Sequence, residues 1–322
     1  MNYGKQFDLD VKRYELSNVD EILVDLHGDR FKNYLTEFEK ASNCTLYSHP
    51  MYIVLEVNDY CNMKCKMCRY GREGYKQGKQ NMDLNLLDKL VLDANKAGVC
   101  SFFLGGGTEC LINPDINTII KRIKTGNSID DVLITNGYAL NERLQDLLID
   151  VGWEKVFVSL DAASKDTYTR IRGKDLSVVE RNIYSLIKKR NNRGKMVPLV
   201  RVSFVVQPDN IGEKELFFDK WKDVVDIIDF QDLLDLSSDV IHEDAPETNK
   251  KCNEPFNRLF VDCEGYIYPC CTDFGKNMPL GNIKDISIEE AWNSESMVKL
   301  RNELMNGNHN LICRNCLNSI WT

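Results

Sequence analysis

Long apolar runs are missing from these 322 residues. Nothing approaches the roughly 20 consecutive apolar residues of a membrane span, and the opening MNYGKQFDLDVKRYELSN lacks the apolar core of a signal peptide. A cytoplasmic protein with no membrane partner is expected. Positive charge is also short: 41 Lys and Arg stand against 49 Asp and Glu, a net charge of −8. That is the wrong sign for holding phosphate backbones by counterion release, so nucleic acid is not an expected partner. Proline (8) and glycine (19) are sparse, while hydrophobic residues make up 43% and charged residues 28%. Such a chain can bury a sizeable core and is neither disordered nor collagen-like. Internal repeats and low-complexity tracts are absent as well.

What the sequence does have is cysteine, twelve in all. Thiols in the cytoplasm stay reduced, and clustered ones usually bind metal. Their spacing is therefore the main functional signal.

From residue 51 apolar runs alternate with amphipathic stretches. Strands are predicted at 51–57, 99–106, 131–136, 155–161, 199–207 and 225–234, and helices at 85–98, 116–124, 142–152, 177–190 and 213–224. Six strands alternating with five helices call for a parallel α/β sheet with right-handed crossovers, either a partial barrel or an open wound sheet. Chemistry should then lie in the loops after strands. Residues 1–50 read as short helical elements forming a lid or packing layer. Eight acidic residues and no Lys or Arg between 226 and 247 mark a boundary near 240, although a charge run is usually a solvated face. Beyond it come a hairpin turned at Glu264-Gly265, with Leu259, Val261 and Ile267 alternating, a helix near 286–307, and a terminal Cys313-x-x-Cys316. The expected organisation is an extension (1–50), a barrel (51–240) and a small cysteine-rich unit (241–322).

Cys61, Cys65 and Cys68 form CxxxCxxC in the loop after the first predicted strand. Three thiolates on one loop can hold three corners of a cubane iron–sulfur cluster and leave the fourth iron open. A structural zinc site would want a fourth ligand, and neither a histidine nor another cysteine lies nearby in sequence. This motif after strand one of a six-unit βα array resembles the radical S-adenosylmethionine (radical SAM) enzymes. The resemblance implies a partial (βα)6 TIM-like barrel whose open iron chelates S-adenosylmethionine, reductively cleaved to a 5′-deoxyadenosyl radical.

The resemblance carries over residue by residue. Met67 matches an apolar position beside the third cysteine. Gly105-Gly106-Gly107-Thr108-Glu109 after strand two is similar to the family's Gly-Gly-Glu-Pro stretch, with Thr108 in place of a glycine and Cys110 in place of the proline. It implies that Gly106, Gly107 and Glu109 approach the ligand's amino group. SLDAASKDTYTRIRG after strand four resembles a Ser-Leu-Asp-Gly stretch followed by Arg-x-Gly. It implies that Ser159 and Arg172 contact the ribose and carboxylate, with Asp161 shaping the loop. Asn136-Gly137 after strand three is typical of the family too, and also reads as a plain turn.

Cys252, Cys270, Cys313 and Cys316 make a second set. Four thiolates complete a metal's shell, and from these residues alone zinc and iron–sulfur are equally good readings. Downstream of a radical SAM barrel, Cys–x12–Gly265–x4–Cys270 resembles the opening of a SPASM domain in its shortened twitch form, as in a radical SAM aminocyclitol dehydrogenase. Two [4Fe-4S] clusters are implied, one binding S-adenosylmethionine and one auxiliary. A fully ligated cluster has no vacant iron, so its expected task is to accept an electron; the alternative is a staple for a small domain.

Cys271 stands where sulfatase-maturing relatives carry an aspartate base. It is a candidate hydrogen donor or a small buried residue, and Asp273 is a candidate base or a turn residue. Cys44, Cys100, Cys110 and Cys263 read as packing. The leading expectation is dehydrogenation of a sugar, cyclitol or nucleotide sugar, with a flavodoxin or ferredoxin supplying the initiating electron. The alternatives are epimerisation through Cys271 and peptide modification, the latter expected to need more than fifty residues before strand one. Arg201 on strand five is a candidate to face the cavity, which alternation alone does not decide.

Overall fold

The computed structural model describes residues 7, 8, 10–233, 242–270 and 276–318. The chain begins with β1 (Arg13–Glu15), α1 (Val19–His27) and α2 (Asp29–Ser42). The repeating part then runs β2 (Tyr52–Leu55), α3 (Leu84–Ala97), β3 (Phe102–Leu104), α4 (Ile116–Ile123), β4 (Val132–Thr135), α5 (Glu142–Asp150) and β5 (Lys155–Ser159). It continues through α6 (Lys165–Arg172), α7 (Leu176–Asn192), β6 (Leu199–Val206), α8 (Lys214–Trp221) and β7 (Ile227–Asp232). Last come α9 (Glu254–Asn257), β8 (Arg258–Val261), β9 (Tyr266–Tyr268), β10 (Gly281–Asn282), α10 (Ile288–Trp292), α11 (Glu295–Met305) and α12 (Leu311–Asn318).

Strands β2 to β7 form the expected parallel array, each paired with the next. The sheet does not close on itself: its order is β1-β7-β6-β5-β4-β3-β2-β8-β9-β10. Helix boundaries follow local chemistry. Asp83, Asn141, Ser164 and Asp175 cap α3, α5, α6 and α7 by accepting from backbone N–H groups of the first turn. Gly98 and Gly173 close α3 and α6 in the left-handed conformation.

Both sides of β2 are buried, but against different partners. Ile53 and Leu55 pack outward with Leu87, Leu90 and Ala94 of α3. Tyr52 and Val54 point the other way, into an inner cluster with Leu199, Ile227 and Phe260. Val19, Leu23, Phe31 and Tyr34 of α1 and α2 join that inner cluster beside Met51 and Val197, at the strands' amino ends. α1 and α2 are thus a packing layer that plugs the barrel at the end opposite the strand-to-helix loops, and β1 pairs antiparallel with β7.

The C-terminal hairpin is not a separate sheet. β8 pairs parallel with β2, Tyr52 opposite Arg258 through Leu55 opposite Val261, so the cysteine-rich segment extends the barrel's own sheet. Its turn is organised by Asp262, whose Oδ1 accepts from the N–H groups of Glu264 and Tyr266, with Gly265 at φ +89°. The single helix predicted at 286–307 is two. Ser287 and Glu290 form a capping box on α10, and Ser294 restarts the chain by accepting from Met297 N. α6 and α12 were not anticipated.

Of the described acidic residues between 226 and 247, Asp232, Glu243, Asp244 and Glu247 are exposed, as a solvated face requires, while the first two are not. Asp226 is buried and accepts from Arg190 Nη1 (2.6 Å) and Val200 N (2.8 Å), and Asp229 pairs with Arg201 (3.2 Å). Residues 242–251 strap α12: Glu247 pairs with Arg314, and Lys250 Nζ donates to Leu317 O (3.0 Å). Among the described residues, no helix is long and apolar enough to cross a membrane.

Candidate active site

Between β2 and α3 the chain makes a tight loop carrying Cys61, Cys65 and Cys68. Cys68 N donates to Cys65 O (3.0 Å) and Gly71 N to Cys68 O (2.9 Å), so the third cysteine is turned back over the second. A Cβ on Gly71 would press into the carbonyl of Cys65, which is why a glycine stands there. Lys66 N donates to Ile171 O (2.8 Å), fastening the loop to α6. Arg172, at the end of α6, is buried; it pairs with Asp161 and turns Nη1 toward Cys65 Sγ at 3.7 Å. Its Nε is buried without a protein partner. Asn136 Nδ2 donates to Asn62 Oδ1 (2.8 Å) and lies 4.0 Å from Cys61 Sγ.

Burial pushes the Cys61 thiol up to about 12, and the charges of Glu109, Cys65 and Cys68 push the same way. Burial raises Cys65 as well, with Arg172 opposing. Thiols become thiolates when a cationic group sits among them. Among the described residues, no three His, Cys, Asp or Glu side chains converge on a single ion-sized point. Zinc thiolates all lie about 2.3 Å from one centre, whereas a cluster spreads its ligands over several metals. The donor set fits the latter.

The glycine run after β3 is demanded by its surroundings. Gly105 has φ +101° and would drive a Cβ into Ile134 O at 2.5 Å, and a Cβ on Gly107 would meet Glu56 Oε2 at 2.8 Å. Glu109 is buried and already accepts from Thr135 Oγ1 (2.6 Å), Asn136 N (2.7 Å) and Leu111 N (3.2 Å), tying the ends of β3 and β4 together. A carboxylate has about four acceptor positions, so one is left for a ligand. Asp161, at φ +63°, also accepts from Val205 N (2.8 Å), which locks the loop carrying Arg172's partner. Ser159 ends β5 and is half-buried. Arg201, paired with Phe157 across β5 and β6, lies 3.6 Å over that ring and reaches Asp229. It faces the barrel interior, and Gln231 steadies Asp229 from the same strand (2.7 Å).

The second cysteine set is brought together from three separate places. Cys252 precedes α9, Cys270 follows β9, and Cys313 and Cys316 lie one turn apart on α12. All four line one small cavity whose other walls are Pro255, Met278, Leu300, Leu304, Ile312 and Leu317. Burial pushes Cys252 and Cys313 up to about 12, and the neighbouring cysteines add to it. Cys271 and Asp273 lie outside the described residues. Of the cysteines read as packing, Cys110 and Cys263 are buried and Cys44 and Cys100 half-buried.

Three polar groups at the barrel's mouth were missed from the sequence: Glu56, Asp262 and Lys276. Glu56 was visible as the one charge in the apolar run MYIVLEV; nothing local marked its partners, which come from the far end of the chain.

Three cysteines on the loop after the first parallel strand, a glycine run after the second, and a four-cysteine cavity beyond the barrel define an iron–sulfur radical enzyme with a second cluster domain. Residues 55–205 match the radical SAM superfamily, and residues 252–317 match the SPASM iron-sulfur cluster-binding domain. The chain is a radical SAM enzyme with a C-terminal SPASM-type domain. The class carries a [4Fe-4S] cluster and S-adenosylmethionine, and the domain adds auxiliary iron–sulfur.

A probable GTP 3′,8-cyclase from Methanococcus maripaludis is 27% identical over 214 residues, covering 64% of this chain and 69% of that protein. Alignments with other GTP 3′,8-cyclases span as little as 37% of their length. BtrN, the 2-deoxy-scyllo-inosamine dehydrogenase crystallised with AdoMet and 2-DOIA, has a TM-score of 0.57 at 20% identity, covering 83% of this chain and 92% of that one. Streptococcus suis SuiB bound to its precursor peptide SuiA has a TM-score of 0.58 at 15% identity, covering 84% and 70%. At these identities the structural likeness is one of fold.

Proposed function

We propose that the protein is a radical SAM oxidoreductase that dehydrogenates a carbon bearing a hydroxyl or amino group on a sugar, cyclitol or nucleotide sugar. The supporting observation is the small cavity lined by Cys252, Cys270, Cys313 and Cys316. Four cysteines walled by apolar side chains leave no metal position for a substrate, which suits electron transfer. The substrate class is adopted from BtrN, which shares the fold over 92% of that chain.

Cys61, Cys65 and Cys68 would hold the first cluster, and Gly106, Gly107, Glu109, Ser159 and Arg172 would line S-adenosylmethionine beside it. When bound there, the first cluster with S-adenosylmethionine would supply hydrogen-atom abstraction, and a second cluster held by Cys252, Cys270, Cys313 and Cys316 would supply an electron-accepting site. The residues contribute position and charge. Arg172 stays cationic beside Cys65, Asp161 keeps it aimed, and the glycine run admits a ligand against the backbone. A flavodoxin or ferredoxin delivers the first electron.

Anaerobic assay tests this reading. Purified protein should hold about eight iron with matching sulfide and, with reductant and S-adenosylmethionine, convert 2-deoxy-scyllo-inosamine or an amino sugar to a carbonyl product with stoichiometric 5′-deoxyadenosine. Inversion without a carbonyl would replace the reading with epimerisation. Consumption of GTP instead would favour the cyclase relatives.

Gly71→Ala offers a check on the first site. Its methyl displaces the Cys65 carbonyl, so iron should fall by about four per chain with far-ultraviolet circular dichroism unchanged.

A further inference from the structure

Glu56 leaves the end of β2 on the barrel's inner side, where chemistry in such folds is found. Its side chain is 3% exposed. One carboxylate oxygen lies against Gly107, with Arg69 Nη2 beyond it; the other is 4.0 Å from Lys276 Nζ, which in turn holds Asp262 Oδ2 at 2.6 Å. Glu56 therefore stands between the glycine run proposed to line S-adenosylmethionine and the segment that carries the second cysteine set. Two other buried glutamates have more partners. Glu109 already accepts from two backbone N–H groups and a hydroxyl, and Glu154, at the strands' amino ends, accepts from Lys124 and the N–H of Asp131. Among the described residues, the 4.0 Å contact with Lys276 is the one ion pair Glu56 makes.

We propose that Glu56 is the proton acceptor of the reaction, a role that rests on the dehydrogenase reading above. The O–H or N–H bond on the reacting carbon breaks, its electron pair stays on the substrate heteroatom, and the proton forms a new O–H bond on Glu56. No electron passes through the carboxyl group.

The electrostatics agree. Burial pushes the Glu56 carboxyl up to about 7; Lys276 and Arg69 pull it back, while Asp262 and Asp59 raise it. Tyr70 and Cys263 complete the titratable surroundings. A base working near neutral pH is best placed at such a value. Because the ionised form accepts the proton, product formation should decline as pH falls through about 7.

The test combines a spectroscopic and a chemical reading on the full, iron-loaded chain. Infrared difference spectra over a neutral pH range should show a protonated carboxyl band titrating near pH 7 in the wild type and missing from E56Q. A Glu56 that stays protonated throughout overturns the proposal, because only the ionised carboxylate can accept the proton. With 2-deoxy-scyllo-inosamine as the probe, E56Q should lose carbonyl product by about 100-fold or more relative to the 5′-deoxyadenosine it forms, with partial recovery in E56D. Undiminished product in E56Q also overturns it. A wild type that makes no carbonyl from the probe counts against the dehydrogenase reading instead, and the infrared titration then decides the Glu56 assignment.

Discussion

Replacing Cys65 by alanine is expected to remove about four iron per chain and abolish 5′-deoxyadenosine formation, with the second site still loaded. Cys65 is the pivot of its loop. It is 8% exposed, its carbonyl takes the N–H of Cys68, and its sulfur faces the Arg172 guanidinium. The backbone of that turn does not depend on the thiol, so the fold should survive while the ligand is lost. Iron and sulfide analysis with chromatographic detection of 5′-deoxyadenosine checks this. A C65A protein that still cleaves S-adenosylmethionine would remove Cys65 from the cluster.

Arg172→Ala should be the most destabilising single change near the site, by about 3–5 kcal/mol. The Asp161 side chain is fully buried, and its charge is answered by Arg172. Removing the cation leaves a desolvated carboxylate facing a buried thiol, while Asp161 remains bound to the backbone of β6 through Val205 N. Anaerobic denaturant unfolding measures the loss. Combining Arg172→Ala with Asp161→Asn should cost less than the two changes summed, because the double variant no longer buries an unpaired charge. Strict additivity would show that the pair is not coupled.

Much of the site could be read before any coordinates. The CxxxCxxC loop, the glycine run and Arg172 fall within short stretches whose spacing constrains them, and the parallel array follows from alternating apolar periods. Other features escaped for identifiable reasons. α6 is a short, polar helix whose start depends on Ser164 and whose end depends on Gly173, signals that also suit a loop. The break between α10 and α11 rests on one serine competing with the backbone. The acidic residues at 226 and 229 resembled a linker because their partners, Arg190 and Arg201, lie on other elements.

By itself the sequence determined the class of this enzyme: cysteine spacing selects the metal chemistry, and hydrophobic periodicity selects a parallel α/β sheet, because both are local properties of the chain. Tertiary structure decided what depends on long-range pairing. It set β8 beside β2, so that the cysteine-rich segment continues the barrel's sheet; it drew Cys252, Cys270 and the two cysteines of α12 into one apolar cavity. It also placed Glu56 against Lys276, 220 positions apart in sequence. A carboxyl group's readiness to take a proton depends on burial and neighbouring charge, and neither is fixed until the chain has folded.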